Sequence, residues 1–284
     1  MLDARSLRTL FGPTALAAVI VASLSSGAFA QQVTQASAPN DPAALAYQIS
    51  KTARSEKQFT QIIELCHKAL AAKPAEKQAT YARKLEAWAY NRRGELRSDA
   101  GEDDGAQADF EAAAKIDSTN WRAIHNRGVG YAARTKFAEA AADFDEVIRL
   151  HPDFAPVWFN RGELRSQNAD FNGAIEDYNQ ALKLQPNDPS ALVGRGHAWY
   201  QLGENEEALK DYDRALELDG QRGSTFVYRA AALAEAGRYA AAADDYRAAI
   251  RLEPNSAASY QAAAWLMATC PDDEFRDAKL AVKA

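Results

Sequence analysis

The pentapeptide Gly-Glu-Leu-Arg-Ser starts at Gly94 and again at Gly162, an offset of 68 residues, or two steps of 34. Blocks of 34 beginning at Ala87, Trp121, Ala155, Pro189 and Gly223 align without a gap. Position 8 reads Gly94, Gly128, Gly162, Gly196 and Ala230, and position 20 is always alanine: Ala106, Ala140, Ala174, Ala208 and Ala242. Position 24 is always aromatic, as Phe110, Phe144, Tyr178, Tyr212 and Tyr246, and position 32 carries Ser118, Pro152, Pro186, Gly220 and Pro254. A sequence that repeats at this period is constrained to stack, because one block cannot bury its apolar face alone.

Each block predicts two helices. Positions 4, 8 and 11 share one helical face, and positions 20, 24 and 27 share another. Small residues at 8 and 20 let the two helices approach, and the aromatic at 24 fills the space they leave. Turn sequences such as Gln201–Glu204 and Glu235–Arg238 separate the helices, with a glycine ending the first. The residue at position 32 breaks the second. A divergent block covers 43–76, with Ile62, Cys66, Ala69 and Pro74 at positions 20, 24, 27 and 32. A partial block begins at Ala257.

This pattern resembles the tetratricopeptide repeat, and the resemblance extends from Ala43 to about Ala284. It implies an all-α fold, a right-handed α-solenoid of about six helix-turn-helix repeats plus a C-terminal capping segment. It also implies a concave groove lined by the first helices, which holds a peptide or protein partner. Two departures stand out. Residues 77–86 are an insertion, read as a helical extension that lengthens one helix from about Ala75 to Ser98, with Tyr81, Leu85 and Trp88 at helical spacing. After Pro271, Phe275, Ala278 and Val282 predict one apolar face on a short capping helix within 257–284.

Position 7 is arginine in all five blocks, Arg93, Arg127, Arg161, Arg195 and Arg229, where the family usually places an apolar residue. Position 23 is aspartate in all five, Asp109, Asp143, Asp177, Asp211 and Asp245. A guanidinium meets a carboxylate through two parallel hydrogen bonds. The matched pairs are read as structural clamps between helices, closing either within a block or between neighbours.

The groove positions implied by the resemblance hold Trp88, Asn91, Arg92, Glu95, His125, Asn126, Phe159, Asn160, Glu163, His197, Tyr200, Tyr228 and Glu235. Asn126 and Asn160 have the chemistry to pair with a peptide backbone, and the aromatics to take side chains. The lysines by which one subgroup grips a terminal carboxylate are missing from positions 2 and 5 of the five blocks, so that specificity is not expected.

The first thirty residues read differently. Arg5 and Arg8 precede an uncharged, mostly apolar run from Thr14 to Leu24, and Ala28-Phe29-Ala30 gives a small-x-small cleavage pattern. This predicts a signal peptide over 1–30, a flexible linker over 31–42 and an exported protein, periplasmic or secreted. The apolar run is too short to span a bilayer, so no stable membrane insertion is expected after cleavage.

The whole chain of 284 residues has net charge −6, and loss of Arg5, Arg8 and Asp3 with the signal makes it −7. An acidic chain without a basic stripe is not a nucleic-acid binder. Cys66 and Cys270 are read as free thiols far apart in the array. Gly128 opens a phosphate-loop-like string, but inside a helix pattern with no preceding strand. Ala100–Glu111 partly matches a calcium loop and lacks its first ligand. No metal, cofactor or catalytic set is assignable. The expectation is a non-enzymatic scaffold or adaptor holding a protein or peptide. The alternative is a self-assembling or tethering component of the cell envelope.

Overall fold

The computed structural model describes residues 41–273 and 275–276. The signal-peptide reading, nearly all of the linker and most of the final capping face lie outside these residues. The described residues form thirteen helices and no strand. They fall into two compact units that divide between Pro152 and Asp153.

Unit one holds α1 (Pro42–Ser50), α2 (Glu56–Ala71), α3 (Glu76–Asp99), α4 (Asp103–Ile116), α5 (Trp121–Ala133) and α6 (Phe137–Leu150). Unit two holds α7 (Ala155–Gln167), α8 (Phe171–Leu184), α9 (Pro189–Gln201), α10 (Asn205–Leu218), α11 (Gly223–Glu235), α12 (Tyr239–Leu252) and α13 (Ala257–Thr269). Consecutive odd and even helices pack as antiparallel hairpins, one hairpin per repeat. Within each unit, odd helices of successive repeats also touch, whereas the even helices make no comparable contact with one another. The odd helices therefore form the inner row of each stack.

The repeating residues do the packing assigned to them. A Cβ on Gly162 would stand 2.9 Å from the Tyr178 ring, so only glycine lets that aromatic lie flat on the first helix. Ala174, Tyr178, Ala208 and Tyr212 are fully buried. In unit one, Phe59, Ile62, Cys66 and Leu85 form a core that also takes Tyr81 and Trp88. The insertion is therefore continuous helix, and α3 runs 24 residues, about 36 Å at 1.5 Å per residue. Burial pushes the Cys66 thiol up to about 12, with the nearby Glu86 carboxylate adding to it. Phe275 packs against the cluster containing Leu266 and Cys270.

Side-chain caps fix several helix starts. Ser55 and Gln58 form a reciprocal box at α2, and Asp170 and Asp188 accept backbone N–H groups at α8 and α9. Such caps satisfy donors that the first turn leaves open. The hairpin turns of the five 34-residue blocks place position 15 in the left-handed region. Gly101, Gly203 and Gly237 do so at φ 80°, 82° and 74°. Thr135 and Ala169 do so at 58° and 59°, where a Cβ is strained.

All five arginine–aspartate clamps close within their own repeat. In each, Nε and Nη2 bond the two carboxylate oxygens at 2.6–2.9 Å. The third nitrogen supplies something the sequence pattern hides. Nη1 of Arg195 reaches Asn179 Oδ1 at 2.6 Å, and Nη1 of Arg229 reaches Asp213 Oδ1 at 2.7 Å. Both acceptors belong to the preceding repeat. One guanidinium thus fastens its own hairpin and the hairpin before it.

Candidate interaction face of the first helices

The inner row is built by helices whose outward positions carry the residues singled out by spacing. In unit one they form a hydrogen-bonded chain. Asn91, 3% exposed, donates to Glu95 Oε1 at 2.7 Å, and Arg92 pairs with the same carboxylate. Asn126 on α5 donates to Asn91 Oδ1 at 3.1 Å and to Glu95 at 3.5 Å. Its own oxygen lies 3.4 Å from His125 Nδ1. The amide offered to a peptide backbone by the sequence is thus engaged in tying α3 to α5. Burial pulls the His125 imidazole down to about 4, and the bond to Asn126 opposes this weakly. Trp88 packs edge-on to Phe59, ring centres 5.6 Å apart, with its indole N–H buried and unpartnered. Arg122, not singled out by sequence, lays its guanidinium 4.0 Å from the Trp121 ring centre.

Unit two presents a different surface. Phe159 and Asn160 are buried, at 7% and 5% exposure, and form floor rather than rim. Glu163 accepts the Tyr178 hydroxyl. Burial raises the Glu163 carboxyl, and this hydrogen bond partly offsets the rise. His197 lies 5.8 Å from Tyr228, ring centre to ring centre, and burial lowers its imidazole. Tyr228 stacks on Tyr212 at 6.2 Å and 20° and remains 37% exposed. Burial raises the phenols of Tyr200 and Tyr228, with Glu235 adding to the first and Glu163 to the second. Trp265, 57% exposed, is the most open large apolar side chain among the described residues. The sequence reading did not single it out. Extending the numbering one block would have, since Trp265 takes position 9, the place held by Glu95, Glu163 and His197.

Charge separates the two units. Helices α7, α9, α11 and α13 contain no lysine. Their four arginines, Arg161, Arg165, Arg195 and Arg229, all turn to second-helix aspartates. The inner row of unit two is therefore aromatic and carries carboxylates only.

The other candidate motifs resolve as structure. Gly128 sits inside α5. Ala100–Glu111 is helical from Asp103, and Asp104 pairs with Arg134 at 2.9 Å. Among the described residues no group of His, Cys, Asp and Glu has metal-binding geometry, and no helix is long and apolar enough to cross a membrane.

The tetratricopeptide-repeat family model matches residues 125–168 and 160–222. No curated protein matches the chain by sequence. Among solved structures, YrrB, described as a TPR protein with an unusual peptide-binding site, is 22% identical with a TM-score of 0.54, covering 66% of this chain and 96% of its own. The pilF protein of Pseudomonas aeruginosa is 18% identical with a TM-score of 0.58, covering 65% and 84%. A tetratricopeptide repeat protein from Parabacteroides merdae is 16% identical with a TM-score of 0.57, covering 79% and 84%. At these identities the likeness speaks to fold. Period, hairpin packing and the family match over residues 125–222 agree: that stretch matches the tetratricopeptide-repeat model, and the described residues share the all-helical fold of tetratricopeptide-repeat structures.

Proposed function

We propose that the protein is a non-enzymatic scaffold that holds a protein or peptide partner on the inner row of its first helices. The observation that carries this reading is the set of half-exposed aromatic side chains on that row in unit two, Tyr200, Tyr228 and Trp265. Exposed aromatics clustered on a rigid frame are the usual anchors of protein interfaces. The fold supports the reading, because stacked repeats offer an extended surface whose residues vary while the frame stays fixed. Photo-crosslinking tests it. A benzophenone amino acid at Tyr228 should trap a defined partner, and the same group at the exposed second-helix residue Glu176 should not. Equal trapping from both positions would defeat the assignment.

We further propose that the scaffold works outside the cytoplasm. Support comes from Arg5, Arg8, the apolar run Thr14–Leu24 and Ala28-Phe29-Ala30. Mass spectrometry of protein recovered from the cell exterior or periplasm should find a mature start at Gln31. A membrane-bound form retaining Met1 would overturn it.

A further inference from the structure

We propose that the inner row of unit two receives a cationic side chain, arginine or lysine, from an extended partner segment, seated between Tyr200, Tyr228 and the carboxylates of Glu163 and Glu235. The inference rests on the scaffold reading and adds the chemistry of the partner.

Three observations converge on it. The first is charge. Every arginine on the first helices of unit two is committed to a second-helix aspartate, so no cation of this row balances Glu163 or Glu235. Among the described residues Glu163 is held only by the Tyr178 hydroxyl, and a carboxylate withdrawn from water calls for a cationic partner. The second is the aromatic surface. Tyr228 lies in the field of Glu163, and Tyr200 in that of Glu235. Aromatic faces attract cations, and carboxylates beside them add to the attraction.

The third comes from comparing two repeats of the same chain. Tyr178 and Tyr212 both occupy position 24 and are both fully buried. Tyr178 gives its hydroxyl to Glu163, the position 9 residue of its own repeat. In the next repeat position 9 is His197, and the Tyr212 hydroxyl is left buried without a partner among the described residues. The residue facing Tyr178 from the following repeat is Gly194, whose missing Cβ would stand 2.9 Å from the hydroxyl. The residue at the corresponding place over Tyr212 is Tyr228, stacked on it. An orphaned polar atom is costly to bury. Here it sits under a half-exposed ring, at the point where the face is most aromatic. A guanidinium or ammonium that displaces the Tyr228 ring sideways has the Tyr212 oxygen to donate to and the Glu163 carboxylate, whose field reaches Tyr228, to pair with.

The test uses the full mature chain and a synthetic array of 12-residue peptides. Leucine and tyrosine alternate with arginine in one series, with glutamine in the second and with glutamate in the third. Binding is read by fluorescence anisotropy for the wild type and for Tyr228→Ala and Glu235→Gln. The inference expects the arginine series to bind best, and each substitution to weaken it by about fivefold or more, as for a desolvated cation on an aromatic face. Raising salt should weaken it further. If the glutamine or glutamate series binds as well, and Tyr228→Ala still abolishes it, the scaffold face stands and the cationic partner is refuted. If no series depends on Tyr228, both readings fall. If no peptide binds and light scattering returns a dimer that Tyr228→Ala dissociates, a second copy occupies the face and the inference fails.

Discussion

Replacing Arg195 by alanine isolates one clamp and lets its worth be worked out. Asp211 is 6% exposed and takes both of its short hydrogen bonds from Arg195, at 2.8 and 2.6 Å. Arg195→Ala leaves that carboxylate buried and unpaired, and removes the tie to Asn179 as well. Breaking a buried pair from one side costs about 3–5 kcal/mol. Arg195 keeps 24% of its side-chain surface in water, which places the expected loss near the lower end, about 3 kcal/mol. Arg93 provides an internal control. Its partner Asp109 is equally buried but also receives Arg97 Nη1 at 3.1 Å, so Arg93→Ala leaves one charge-assisted bond and should cost only about 1–2 kcal/mol. Urea unfolding followed by circular dichroism measures both. Adding Asp211→Ala to Arg195→Ala should recover part of the loss, because the stranded charge goes with it. A loss below about 0.5 kcal/mol for Arg195→Ala would mean the pair behaves as a solvated surface contact. A larger loss for Arg93→Ala than for Arg195→Ala would refute the reasoning from partner number.

Other outcomes follow from single residues. Ala169→Gly relieves a left-handed alanine and should stabilise by about 0.5–1 kcal/mol. Gly203→Ala, where nothing lies within 4 Å of a new Cβ, should cost about 1 kcal/mol through backbone strain alone; thermal unfolding reads both. His125 is held neutral by burial, with its value lowered to about 4. Its contribution is fully present above the ordinary histidine value near 6.5. It is lost as pH falls toward about 4, by about 2–3 kcal/mol. In His125→Gln that acid limb should flatten in a pH series of urea midpoints, and an unchanged limb would count against it. Glu163 has the opposite sign, since burial raises its carboxyl. Its folded form prefers the proton, so stability is greatest below the ordinary glutamate value and falls as pH rises through the raised one. Glu163→Gln should therefore be more stable than wild type at pH 7 and lose that advantage in acid. A Gln variant that is less stable at pH 7 would refute the buried-charge account.

The architecture was legible because its physics repeats. Gly at position 8 and an aromatic at 24 recur because one close approach recurs, as Gly162 on Tyr178 shows. The clamps were legible for the same reason, and the structure adds that they close within each repeat. Three features were not legible. The third guanidinium nitrogen finds Asn179 in one place and Asp213 in another, so no single residue type marks the contact. The left-handed position 15 is glycine in three turns, but Thr135 and Ala169 hide it in the other two. On the inner row, spacing gave register without depth. Asn91, Phe159 and Asn160 hold outward positions yet are buried, and Asn126 is engaged by its neighbours. Whether a polar side chain on such a row is available depends on what the adjoining helix places beside it, which a single block does not encode.

The reach of the clamp arginines into the preceding repeat gives the stack a direction. Beyond their own repeat, Arg195 and Arg229 each hold a residue of the preceding repeat and none of the following one, so the fastening of a repeat is supplied by the one that follows it. That series stops at α13, where position 7 is Ala263 and the upstream place is Arg247 instead of an acid or amide. Within unit two, α13, the last described helix, is therefore laid on without a rivet. Amide exchange should penetrate there first, and peeling under load should begin at that end and advance repeat by repeat toward α7.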